Sequence, residues 1–112
     1  MNLTQNEIKM LIAFVKEGKD CIGAETFESI IEDNMAIMSV DDFKEQVFSE
    51  LSRQAIGGIM GSLSTKGLAG DSGESPRADN NDRTFDGRRP MNDWYPTDTG
   101  IKIGWQLMEA LT

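Results

Sequence analysis

The chain has 112 residues, 38% hydrophobic and 27% charged, with a formal net charge of -8, which fits one compact domain with a modest core. Histidine is absent and Cys21 is the only cysteine, so histidine acid–base catalysis and an internal disulfide are excluded and a Cys/His zinc site lacks ligands. No apolar run is long enough to cross a bilayer, and Met1-Asn2-Leu3-Thr4 does not open a secretory signal, so no membrane partner and a cytoplasmic location are expected.

Thr4-Gln5-Asn6-Glu7 fits a capping box, in which the Thr4 hydroxyl and the Glu7 carboxylate satisfy exposed amides at a helix start. Ile8, Leu11, Ile12 and Val15 repeat at helical spacing and Gly18 offers a left-handed stop, predicting a first helix over about 5–17. Cys21-Ile22-Gly23 then reads as a short bridge able to add a strand residue or two, with Cys21 a small buried apolar side chain. A second helix is expected over about 25–34, burying Phe27, Ile30 and Ile31 while Glu25, Glu28, Glu32 and Asp33 face water.

Ser39-Val40-Asp41-Asp42 supplies another amino cap, and Phe43, Val47, Phe48 and Leu51 form the apolar stripe of a third helix. A fourth, over 52–66, carries apolar side chains at Ala55, Ile56, Ile59, Met60 and Leu63 with small or polar residues between them. One face of that helix belongs to the core and the other is thin. A thin face with Arg53, Gln54 and Ser62 suits close approach to a DNA major groove; tight packing on a neighbouring element at Gly57, Gly58 and Gly61 is the structural alternative.

From Ala69 to Pro90 the composition turns to Gly, Asp, Ser, Asn and Arg, and 70–85 reads as a long hairpin tip. Trp94 and Tyr95 return the chain as a strand. Thr97 or Thr99 then caps a final helix with Ile101, Ile103, Trp105, Leu107, Met108 and Leu111 as its apolar content. The predicted order is four helices, a hairpin and a last helix.

Charge is distributed unevenly along this order. Residues 1–51 hold 4 Lys+Arg against 11 Asp+Glu, a net of -7, whereas residues 52–112 hold 7 against 8, a net of -1. Every arginine (Arg53, Arg77, Arg83, Arg88 and Arg89) lies in the second half, and arginine is the side chain suited to bidentate contacts with phosphate or guanine.

Three segments in order resemble the MarR-type winged helix-turn-helix regulators: Ile56 through Leu68 with its Lys66-Gly67-Leu68 turn, Asp86-Gly87-Arg88, and Pro96-Thr97-Asp98-Thr99-Gly100. The resemblance implies a mainly α fold with a small antiparallel β-wing, spanning 1–112 as one winged-helix domain. It implies that helix 52–66 reads the major groove of duplex DNA through Arg53, Gln54, Ser62 and Lys66. Arg88, with Arg89 beside it, would be the wing contact held by Asp86, and dimerisation as a homodimer would match a two-fold operator.

Two other classes of function compete with a DNA-binding regulator. An acidic winged-helix protein would bind a basic protein partner, as an adaptor or a DNA mimic, through Glu25, Glu28 and Glu32. An enzyme is not expected: Asp41-Asp42 fits a helix cap, Asp79 and Asp82 sit in the loop, and no P-loop or Gly-x-Ser-x-Gly is present, so no cofactor or metal is assigned.

Overall fold

The computed structural model describes residues 2–33, 36–71 and 93–111. Along the chain these form α1 (Gln5–Ile22), α2 (Phe27–Asp33), β1 (Met38–Ser39), α3 (Val40–Gln46), α4 (Arg53–Thr65), β2 (Ala69–Asp71), β3 (Asp93–Pro96) and α5 (Asp98–Ala110). The protein is therefore mainly helical with a small three-stranded antiparallel sheet of order β1-β3-β2.

The Thr4 capping box forms as expected. The Glu7 N–H donates to Thr4 Oγ1 at 3.1 Å and the Thr4 N–H donates to Glu7 Oε1 at 2.7 Å. α1 does not stop at Gly18, however, but continues to Ile22 and ends on Gly23, which takes the left-handed conformation at φ 64°. The apolar spacing explains the extra turn, because Leu11, Val15, Gly18 and Ile22 continue one inward stripe. Gly18 serves that stripe by its size: a Cβ there would lie 2.7 Å from Ile30 Cγ2.

Cys21 and Ile22 consequently belong to the last turn of α1, not to a strand, and Cys21 is exposed, not buried. The strand is supplied instead by Met38–Ser39, with Met38 paired to Trp94 and Ser39 to Asp93. On the other side of β3, Ala69 pairs with Pro96, Gly70 with Tyr95 and Asp71 with Trp94. Alternation along β3 buries Trp94 and Pro96 and exposes Asp93 and Tyr95.

α2 buries Ile30, with Phe27 and Ile31 packed beside it, and leaves Glu28, Glu32 and Asp33 exposed. α3 starts from a second capping box, between Ser39 and Asp42, and is shorter than the apolar pattern suggests. Val47, Phe48 and Leu51 lie beyond its end in the connection to α4, yet Phe48 is buried and the other two pack against the core. Lys44 holds that connection by donating from Nζ to the Leu51 carbonyl at 2.7 Å and the Ser49 carbonyl at 3.4 Å.

The main core joins α1, α3, α4 and the sheet around Phe43, whose ring meets Phe14 edge-on at 5.0 Å and lies 5.9 Å from Trp94. A second cluster joins α1, α2 and α5 through Val15, Ile30, Ile101 and Trp105. Lys19 Nζ lies 5.6 Å from the Trp105 ring centroid, a cation–π contact across α1 and α5. Gly104 lets the two helices approach, since a Cβ there would sit 2.9 Å from the Leu11 carbonyl oxygen.

Candidate nucleic-acid interface

α4 begins at the Ser52 cap, whose Oγ accepts from the Ala55 N–H at 3.1 Å. Ile56, Met60 and Leu63 are buried in the main core and Ile59 packs against it. The spacing that turns these four toward the core turns Gln54, Gly58, Gly61 and Thr65 to the opposite side, where all four are exposed. A Cβ placed on Gly57, Gly58 or Gly61 meets no described atom within 4 Å. The alternative in which these glycines pack tightly on a neighbouring element is thus not what the described residues form; among them the outer face of α4 is thin and open.

This openness has a measurable consequence. Glycine in a helix interior costs about 1 kcal/mol relative to alanine, and no described atom resists a methyl group here. Gly58→Ala and Gly61→Ala are expected to raise stability by about 0.5–1 kcal/mol each, read as a higher urea midpoint with unchanged slope.

The two cations of α4 and its cap are both held by carboxylates. At the start, Arg53 Nη2 pairs with Asp41 Oδ1 of α3, and the side chains remain 59% and 40% exposed. At the end, Lys66 Nζ donates to Glu7 Oε1 at 2.7 Å and Oε2 at 3.0 Å and to the Asn2 carbonyl at 2.8 Å. Ser62 Oγ donates to the same Glu7 carboxylate.

Glu7 is almost fully buried. Burial alone would raise its pKa, but hydrogen bonds from Lys66, Ser62 and the Thr4 N–H, with the Lys66 charge, reverse that and hold it at about 2, below the ordinary 4.5. Of the expected groove contacts, Gln54 and Arg53 are therefore on the surface, whereas Ser62 and Lys66 are turned onto Glu7. Arg88, Arg89 and Asp86, and the hairpin tip beyond Asp71, lie outside the described residues.

Glu7 and Asp41 went unassigned at the sequence level because each sits in a helix's first turn, where a carboxylate has a sufficient local explanation. Their partners lie 59 and 12 residues away. Only the capping-box position of Glu7, which fixes its side chain toward the helix start, hints that it stays near the body.

After α4, Gly67 takes φ 77° and the Leu68 N–H donates back to the Leu63 carbonyl at 2.9 Å, so the Lys66-Gly67-Leu68 turn leads directly into β2. Thr97, which directly follows β3, binds this turn. Its N–H donates to the Leu68 carbonyl at 3.0 Å, and its hydroxyl donates to the Gly67 carbonyl at 2.8 Å and accepts the Gly100 N–H at 3.1 Å. The end of α4 and the start of α5 are thereby fixed to each other.

The other candidate surface is acidic. Glu25, just before α2, and Glu28 and Glu32 on it are all exposed. Among the described residues no group of three or more His, Cys, Asp or Glu is arranged to hold a metal ion, and no helix is long and apolar enough to cross a membrane. Comparisons with protein-family models, curated proteins and solved structures find no match.

Proposed function

We propose that this chain is a small winged helix-turn-helix transcription regulator of MarR-like type that binds duplex DNA without catalysing a reaction. The observation that supports the reading is the order α1, α2, β1, α3, α4, β2, β3, α5, in which α2 is an extra helix between α1 and β1, with sheet order β1-β3-β2 and an α4 whose outer face meets no described atom. In such an arrangement α4 is the recognition helix and the β2–β3 connection is the wing. Gln54 at the start of α4 is placed for a base edge, and Arg53 beside it for a phosphate or a guanine. A cytoplasmic location and a homodimer on a two-fold site accompany this reading.

Fluorescence anisotropy of labelled duplex DNA, titrated with the protein at low and at higher salt, tests it. Binding is expected to weaken as salt rises, and Arg53→Ala together with Arg88→Ala is expected to lower both affinity and salt slope. Unchanged affinity and slope in that double variant would remove the site from α4 and the wing.

The specific observation favouring a second reading is that Arg53 and Lys66 both face carboxylates while Glu25, Glu28 and Glu32 stand exposed. An acidic protein-binding surface would then meet a basic partner. No DNA binding at any salt, with capture of a basic protein that is lost when the three glutamates are neutralised, selects that reading.

A further inference from the structure

The two ion pairs of the α4 region differ in one respect that matters for a ligand. Lys66 is bound to a carboxylate only 2% exposed and also to a backbone carbonyl, so leaving would strand the buried Glu7 charge. Arg53 and Asp41 are both well exposed, so either can exchange its partner for water or another ion at little cost. Asp41 has no competing attachment that aims it at Arg53: in the Ser39 capping box it is the next residue, Asp42, that accepts the Ser39 N–H. The Asp41 carboxylate therefore stands at the start of α4 as an anion on the same partner that a phosphate would take.

We propose that Asp41 is an intramolecular competitor for DNA phosphate at Arg53, setting the affinity of α4 by occupying its exchangeable cation until a phosphate displaces it. This rests on the DNA-binding reading of α4. A guanidinium fork donates to carboxylate or phosphate oxygens alike, so DNA binding and the Asp41 pair are alternatives at one set of donors. The pair also explains how an acidic chain would limit attachment to arbitrary duplex, since each encounter must first displace the carboxylate.

The test is a double-mutant cycle on duplex DNA, read by anisotropy across a salt series, using the full chain as wild type, Asp41→Asn, Arg53→Ala and the double variant. Arg53 is exposed and Asp41 half-exposed, and circular dichroism checks the fold. Asp41→Asn is expected to tighten binding about two- to fivefold, the range to which an exposed pair's strength converts, and to steepen the salt slope by about one phosphate contact. In the Arg53→Ala background the same change is expected to produce a smaller gain with no change of slope. An equal gain in both backgrounds, or none in either, overturns the competitor role while DNA binding itself stands. Absence of binding by all four proteins overturns the DNA-binding reading and the proposal with it.

Discussion

Gly100→Ala is expected to destabilise the protein by about 3 kcal/mol, with a fall in Tm of more than about 10 °C. A Cβ at this position would lie 2.0 Å from the Leu68 carbonyl oxygen and 3.0 Å from its carbonyl carbon. The obstacle is backbone, so no rotamer change relieves it. That oxygen also accepts the Thr97 N–H, and the Gly100 N–H itself donates to Thr97 Oγ1, so moving α5 away breaks the cap that starts it. The same substitution in the open face of α4, Gly58→Ala, is expected to act in the opposite direction. Thermal and urea unfolding of the two variants beside the wild type check both signs. A Gly100→Ala loss below about 1 kcal/mol would mean that α5 is not pressed onto the turn after α4.

The contrast between these glycines shows where the amino-acid order stops being informative. Gly57, Gly58 and Gly61 form the densest glycine cluster in a helix, yet they touch nothing described; Gly18, which reads as a stop signal, Gly100, which reads as part of the segment opening the last helix, and Gly104, which carries no signal, are helical glycines that close contacts require. Spacing identifies which side of a helix faces inward, but not what stands opposite. The helix caps at Thr4, Ser39 and Thr97 were legible because a cap and its amide lie within three residues. The two-residue strand Met38–Ser39 carries no periodicity to read, and its hydrogen bonds depend on β3, more than fifty residues later.

The candidate site was legible to a similar depth. Ile56, Ile59, Met60 and Leu63 lie on the core side as their spacing implies, which leaves Gln54 and the glycines outside. The contacts of Ser62 and Lys66 with Glu7 were not legible for a different reason. At the flank of the helix the periodicity allows either direction, and a buried carboxylate contributed by α1 decides it.

That carboxylate gives the last expected result: Glu7→Gln lowers stability at neutral pH by about 3 kcal/mol, toward the lower end of the cost of breaking a buried ion pair by removing one partner. The lower end applies because Lys66 is 29% exposed and keeps the Asn2 carbonyl, so its charge reaches water when the carboxylate is gone. The pH dependence follows with a definite sign. The Glu7 pKa is lowered on folding from 4.5 to about 2, so the unfolded chain takes up the proton first as pH falls. Its stabilisation is fully present above the unfolded value and is lost as pH drops from about 5 to about 2, an amount of roughly 3 kcal/mol from the displacement of the pKa. The difference in unfolding free energy between wild type and Glu7→Gln, measured by urea titration at several pH values, should shrink over that window, while contributions from the other carboxylates largely cancel in the subtraction. A difference below about 1 kcal/mol at pH 7, or one independent of pH, would mean that Glu7 does not anchor α4.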